Sequence, residues 1–118
     1  MSSSDWKHLN DQTNARMAVM RKSIPTVAKG FAELAKAAIE PGVLDSKTKE
    51  LIALALGVAA RCDGCIVFHV RAAVKYGATR EEIAEAMGVV IYLGGGPAAI
   101  YAAEALAAYD QLFGQPAA

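Results

Sequence analysis

The most informative segment of this 118-residue chain reads Cys62-Asp63-Gly64-Cys65-Ile66-Val67-Phe68-His69. Two cysteines separated by two residues can form a disulfide across one helical turn, and a helix N-terminus favours the thiolate form of a cysteine. His69 follows Cys65 by four residues. In a helix this spacing places thiol and imidazole on one face, with about 5–6 Å between their Cβ atoms. The segment therefore predicts a base beside a nucleophile.

Composition limits the remaining possibilities. A length of 118 residues predicts a single domain covering residues 1–118, and the 54% hydrophobic content exceeds the roughly 45–50% usual for soluble domains. Lysine and arginine together number 12, as do aspartate and glutamate. Because there is no excess of positive charge to neutralise phosphates or anionic lipids, we expect neither nucleic acid nor a membrane surface as a partner.

Two segments bear on location. The N-terminal residues 1–6 lack the basic and apolar regions of a secretory signal, which predicts a cytoplasmic protein. In that compartment a Cys-x-x-Cys pair is more often catalytic or metal-binding than a permanent structural bridge. Residues 86–103 carry no charge, but Gly94-Gly95-Gly96-Pro97 interrupts them and would leave backbone groups unsatisfied in lipid. We therefore expect two buried helices joined by a turn.

The hydrophobic pattern, together with the positions of glycine, proline and helix-capping residues, predicts an all-α fold of about six helices. No strand-like alternation is present. The first two predicted helices are residues 5–22 and 25–39, and the third is capped by Asp45 or Ser46 and reaches residue 60. The fourth runs from the cysteines to Tyr76, with Gly77 ending it. The fifth follows the Thr79–Glu82 capping box, and the sixth runs from 98 to 113 and ends at Gly114.

The third predicted helix is apolar all the way round between residues 51 and 60, which is typical of a helix buried on all sides. A small domain with so little polar surface on its third, fifth and sixth helices is expected to bury them against other subunits. We therefore predict a homo-oligomer.

Glu50 stands at the entrance of that helix. Its simplest role is to complement the helix dipole. If the third and fourth helices form an antiparallel hairpin turning near Ala60, however, Glu50 lies opposite His69 or Val70. A carboxylate there would orient the imidazole, giving a proton relay from Glu50 through His69 to Cys65, with Cys62 placed to resolve an oxidised sulfur.

These residues resemble the redox branch of the alkylhydroperoxidase D-like and carboxymuconolactone decarboxylase family, which has Glu, eleven residues, Cys-x-x-Cys, three residues and His. Glu50, Cys62, Cys65 and His69 match this pattern, and the similarity extends over residues 43–112. The resemblance implies that Cys65 attacks a hydroperoxide, Cys62 closes the disulfide, and His69 with Glu50 moves protons. It also implies trimers or hexamers, a dithiol or protein reductant of unknown identity, and no cofactor.

Some alternatives stay open at this stage. Reasoning from thioredoxin-type sites nominates Cys62 as the more exposed attacking thiol. Some peroxidase-active relatives carry histidine where this chain has Gly64. The four site residues could also bind zinc, although three of them would crowd into one and a half helical turns, and we predict no metal.

The predicted function is a thiol-disulfide oxidoreductase that reduces hydroperoxides. The competing function is a non-catalytic redox sensor or assembly protein, and a relative of the decarboxylase branch is a further possibility.

Overall fold

The computed structural model describes residues 5–114, and within them every regular element is an α-helix. The all-α prediction is confirmed. Residues 1–4, which contributed to the prediction of a cytoplasmic protein, lie outside the described part. The helices are α1 (Trp6–Ser23), α2 (Pro25–Ile39), α3 (Ser46–Ala59), α4 (Asp63–Lys75) and α5 (Arg80–Phe113).

The helix ends follow the capping signals in the sequence. The Asp45 carboxylate accepts a hydrogen bond from the Thr48 backbone N–H at 2.7 Å, so Asp45 caps α3. Thr79 and Glu82 form the predicted capping box of α5, each side chain accepting from the other's backbone N–H. Gly77 ends α4 with a φ of 96°, a conformation that glycine adopts with little steric cost.

Helix α5 folds back on itself at Gly95. That residue has φ 72° and ψ −153°, outside the helical region. Arg80 Nε donates to Asp110 Oδ1 at 2.8 Å. Residues 30 positions apart would be separated by about 45 Å in a straight helix, so this contact requires two antiparallel arms. We therefore count five helices within residues 5–114 where about six were predicted, and the second arm of α5 corresponds to the predicted sixth helix.

The uncharged middle of α5 makes it the one helix in residues 5–114 that is long and apolar enough to span a membrane. Gly95 interrupts it, as the sequence indicated. Its buried residues, which include Ile83, Met87 and Ala105, belong to the core of the molecule. Only 22% of its apolar window is buried within the single chain, so much of the apolar surface of α5 is left exposed.

The hydrophobic core lies between α3, α4 and the two arms of α5, and Trp6 at the start of α1 closes one end. The chain therefore buries one face of α3 rather than its whole circumference. Ile52 is 46% exposed and Leu56 is 66% exposed. Within the single chain α3 is covered on one side only, where α4 and α5 pack against it, and burial of its other sides by further subunits stays a prediction. Helix α2 has no buried residue, and its apolar side chains Val27 and Phe31 are each 66% exposed.

Candidate redox site

The connection between α3 and α4 delivers Cys62 directly to the start of α4. The Arg61 N–H donates to the Val58 carbonyl and the Cys62 N–H donates to the Gly57 carbonyl, both at 3.0 Å. These two bonds form a Schellman motif, in which the residue after the helix adopts the left-handed conformation. Arg61 occupies that position with a φ of 56°. A left-handed arginine reverses the chain here and makes the hairpin as short as possible.

Gly57 allows α3 and α4 to approach closely at the cysteines. A Cβ atom on Gly57 would lie 3.0 Å from the Cβ atom of Cys65, a separation that would force the neighbour to move. The close contact places Cys65 on the side of α4 that faces α3. Sequence reasoning missed Gly57, although an isolated glycine inside an apolar helical run is a signal of close packing.

Cys62 and Cys65 are joined by a disulfide, with their Cα atoms 5.2 Å apart. Cys62 is the N-cap of α4, and its Sγ accepts a hydrogen bond from the Cys65 backbone N–H at 3.2 Å. The prediction that the pair lies at the N-terminus of the fourth helix is therefore confirmed. Backbone N–H groups at a helix N-terminus favour a thiolate on the capping sulfur once the disulfide is reduced. Both cysteines are half-buried, so exposure does not distinguish them.

Glu50 and His69 meet across the hairpin. Glu50 Oε1 lies 2.7 Å from His69 Nδ1. The position of Glu50 opposite His69, predicted from the length of the hairpin, is confirmed. An ionised carboxylate can only accept, so Nδ1 donates its proton to Glu50 and Nε2 is left as the acceptor of the neutral ring. The bond thus fixes the tautomer in which His69 can take a proton.

Glu50 is the one charged residue that is buried among residues 5–114, with 4% exposure. Removing a carboxylate from water is unfavourable unless it is paired, and His69 supplies the partner. The imidazole is additionally held by the Phe68 ring, which contacts it edge-on with 4.9 Å between centroids. Two neighbours therefore restrain the orientation of the His69 ring.

The site brings together all four residues predicted from the sequence. The disulfide, the tautomer fixed by Glu50 and the four-residue step from Cys65 to His69 provide an electron acceptor with a base next to it. No group of three or more histidine, cysteine, aspartate or glutamate side chains in the described residues is arranged to hold a metal ion.

Helix α1 covers one side of the motif, which sequence reasoning did not foresee. A Cβ atom on Gly64 would lie 3.4 Å from the Thr13 Cγ2 atom, so any side chain at residue 64 would have to extend between α1 and α4. No pattern in residues 6–23 points to this contact. Gly64 therefore fits the close approach of α1 to the start of α4.

The fold and this site define an all-α protein with a Cys-x-x-Cys pair at a helix N-terminus and a Glu-His pair beside it. Residues 25–108 match the sequence model of the Carboxymuconolactone decarboxylase family. The chain belongs to that family.

Comparison with individual proteins agrees with this assignment. An uncharacterized protein of Cupriavidus necator is 40% identical over 108 residues, covering 92% of this chain and 96% of its own. The crystal structure of the apo form of a family protein from Legionella pneumophila superposes with a TM-score of 0.89 at 47% identity, over 95% of this chain and 99% of its own. A family protein of Thermotoga maritima, suggested to take part in an antioxidative response, superposes with a TM-score of 0.67 at 37% identity, over 74% of this chain and 90% of its own.

Proposed function

We propose that this protein is a thiol-disulfide oxidoreductase that reduces organic hydroperoxides with the Cys62–Cys65 pair. The observation that carries the proposal is the 2.7 Å bond between Glu50 and His69, one helical turn from Cys65. The antioxidative role suggested for the Thermotoga maritima relative supports the same chemistry. A single domain, acting in the cytoplasm without metal or cofactor, accounts for this activity.

The first step oxidises Cys65. Its thiolate attacks the outer oxygen of the hydroperoxide, an S–O bond forms and the O–O bond breaks. His69 takes the proton of the Cys65 thiol at Nε2 and then delivers it to the departing alkoxide while Glu50 holds the ring, so that the alkoxide leaves as an alcohol. Cys65 is then a sulfenic acid. Reactivity depends on the thiolate fraction and on delivery of this proton, so both the cysteine and the relay are needed.

The second step closes the disulfide. The Cys62 thiolate, stabilised by the Cys65 N–H and the helix N-terminus, attacks the Cys65 sulfur and the oxygen leaves as water after protonation. Two thiols and one hydroperoxide thus give one disulfide, one alcohol and one water. A dithiol or a protein reductant restores the thiols by exchange. The disulfide in this structure corresponds to the oxidised product.

Replacing Cys65 and replacing Cys62 should have different effects on the reaction with peroxide. Cys65→Ser removes the attacking sulfur, so the reduced variant should leave tert-butyl hydroperoxide unchanged. Cys62→Ser should still be oxidised once and accumulate a sulfenic acid on Cys65, which dimedone labels and mass spectrometry locates. Neither variant can close the Cys62–Cys65 disulfide, and the labelling of Cys62→Ser is done without dithiothreitol, which would reduce the sulfenic acid directly. The reverse pattern, with a sulfenic acid on Cys62 in Cys65→Ser, would assign the attack to Cys62.

A redox sensor that does not turn over is the alternative from another class. It would be oxidised by peroxide at its thiols yet consume no more than one equivalent of peroxide in the presence of excess dithiol. Sustained consumption of tert-butyl hydroperoxide by the reduced wild-type protein supports the peroxidase. Reduced thiols that survive peroxide at neutral pH would contradict both functions.

A further inference from the structure

A cavity of about 530 Å³ lies beside the relay and has no part in the mechanism above. Its volume falls within the roughly 300–1,000 Å³ typical of sites for small organic molecules. The lining residues that matter for its chemistry are Glu50, Phe68, Arg71, Lys75, Tyr76 and Phe113.

The cavity and the redox site share one wall. Glu50, whose carboxylate is bonded to His69, is also one of the residues that line the cavity. On α4, Cys65 precedes the lining residue Phe68 by three positions and the lining residue Ala72 by seven, so the three residues lie along one helix face. Cys65 does not itself line the cavity, and it lies one helical turn before Phe68, beyond the end of the cavity nearest the N-terminus of α4.

The cavity walls combine aromatic surface with positive charge. Phe68, Tyr76 and Phe113 are 55%, 43% and 44% exposed, which is unusual for large aromatic side chains that face only water. Arg71 donates to the Asn10 side chain at 3.1 Å, and the Lys75 ammonium lies 5.7 Å from the centroid of the Tyr76 ring.

Among the described residues, neither Arg71 nor Lys75 forms an ion pair with a carboxylate. Within residues 5–114 the ion pairs join other residues, and the cavity's own carboxylate is bound to His69. Arg71 keeps N–H donors beyond the one used by Asn10, so it can bind a carboxylate through a charge-assisted hydrogen bond. The lining thus suits an organic anion with an apolar body.

Helix geometry sets the length of that molecule. From Cys65, α4 rises about 9 Å to Arg71 and about 15 Å to Lys75 at 1.5 Å per residue. An anionic group bound by these cations is therefore separated from the reacting sulfur by a chain of medium length.

We propose that the cavity selects hydroperoxides whose carbon chain carries a terminal carboxylate, as fatty acid hydroperoxides do. Arg71 and Lys75 bind the carboxylate, the aromatic side chains hold the carbon chain, and the peroxide group lies at Cys65. The inference rests on the proposed function. The reaction is unchanged in its balance, since the hydroperoxy acid becomes a hydroxy acid and water while the two thiols become the disulfide.

A matched pair of substrates isolates the carboxylate. Kinetics of the wild-type protein with dithiothreitol are compared for a linoleic acid hydroperoxide and its methyl ester, with tert-butyl hydroperoxide as a small neutral reference. We expect kcat/KM for the acid to exceed that for the ester by about tenfold or more, since the ester lacks the charge that strengthens the hydrogen bond. The difference should appear mainly in KM, because the bound carboxylate is remote from the reacting atoms.

Variants then assign the preference to the cavity. Arg71→Gln and Lys75→Gln should each lower kcat/KM for the acid more than for the ester, so that the ratio of the two values falls toward one. Lys29→Gln, which removes an exposed cation of α2, is the matched control and should behave as wild type. Binding of the corresponding hydroxy acid to the disulfide form, measured by calorimetry, should weaken in the first two variants only.

The outcomes separate this inference from the proposed function. Equal rates for acid and ester, together with turnover of tert-butyl hydroperoxide, overturn the cavity assignment and leave the peroxidase intact. An acid preference that persists in both cavity variants also overturns it. Absence of turnover with all three hydroperoxides contradicts the proposed function, and with it the assignment of the cavity as a substrate site.

Discussion

At the scale of the residue, the site depends on a single buried carboxylate. Glu50 is 4% exposed and is paired with His69 at 2.7 Å. Its position could be predicted because the hairpin length and the Glu-x11-Cys spacing both point to it. Arg61 could not be predicted, since nothing in the sequence indicates that an arginine will adopt the left-handed conformation where Gly77 serves at the equivalent turn. The backbone bonds of the turn impose it.

The Glu50–His69 bond predicts how variants of the relay behave. His69→Ala and Glu50→Ala should each slow oxidation of the reduced protein by tert-butyl hydroperoxide by about 10²–10⁴-fold, the range typical of general acid–base groups. The double variant should be little slower than the slower single variant, because the two side chains act as a unit. Stopped-flow loss of free thiol measures the rate, and circular dichroism checks that the helices persist.

Glu50→Gln is the matched control for this pair. The amide oxygen can still accept from His69 Nδ1, so the ring orientation is retained while the charge is lost. We expect a rate between those of the wild type and Glu50→Ala. Full activity in both His69→Ala and Glu50→Ala would show that the site moves no protons through these residues.

At the scale of the element, helix boundaries could be predicted because they rest on local signals such as Asp45, the Thr79 capping box and Gly77. The reversal of α5 at Gly95 was indicated by three glycines and a proline. Gly94 allows it, since a Cβ atom there would come within 2.5 Å of the Ala98 Cβ atom. The cover of α1 over Gly64 arises from packing between distant segments, which no local pattern encodes.

Two glycines with open surroundings should respond to alanine in opposite directions. Neither Gly77 nor Gly88 has an atom within 4 Å of an added Cβ, so only backbone conformation differs. Gly77→Ala should lower the free energy of unfolding by about 1 kcal/mol, because φ is 96°. Gly88→Ala should raise it by about 0.5–1 kcal/mol, since Gly88 lies inside α5.

Urea denaturation at one protein concentration measures both changes, and the dependence of the free energy on urea should stay the same. Gly88 continues the exposed stripe of Glu81 and Glu85 on α5, so the added methyl group meets solvent. If both substitutions shift stability in the same direction, the left-handed conformation of Gly77 is not what determines its effect.

The Arg80–Asp110 contact joins the two arms of α5 and should make the fold sensitive to acid. Asp110 accepts from Arg80 through both oxygens, at 2.8 and 3.0 Å, and these bonds hold its pKa below the usual value of 3.8. A lowered pKa in the folded state contributes stability that is present above pH 3.8 and is lost as the pH falls through the folded value. Asp110→Asn should therefore be less stable than wild type at neutral pH and equal to it in strong acid.

Thermal unfolding monitored between pH 7 and pH 2 tests this expectation. Arg80→Lys keeps the positive charge but lacks the planar fork that bonds both oxygens, so it should fall between wild type and Asp110→Asn at neutral pH. If the unfolding temperatures of wild type and Asp110→Asn change with pH in parallel, protonation of Asp110 is not coupled to folding through this pair.

At the scale of the whole molecule, large apolar side chains of α2 and α5 are exposed on the single chain. Val89, Tyr92, Leu93 and Ile100 of α5 are 64–84% exposed, and α2 has no buried residue at all. Hydrophobic content predicted that subunits would cover such surface, but the sequence could not show which faces are left open. That depends on which side of α3 and α5 the core occupies.

The exposed apolar face of α2 is expected to lie in a subunit interface. A 15-residue helix is marginal alone in water, and α2 has Val27, Phe31 and Leu34 on one face at 64–66% exposure. We propose that a second copy of the chain covers this face, within the homo-oligomer predicted above.

Light scattering at micromolar concentration should give three or six times the 12.4 kDa subunit mass. The double variant Val27→Ser/Phe31→Ser should shift the protein to smaller species, because each serine removes apolar contact area. Val43→Ser, at a fully exposed loop position outside this face, is the control and should leave the mass unchanged. If the wild-type protein is a monomer, or if the double variant leaves the mass of the assembly unchanged, then α2 is ordered without a partner subunit.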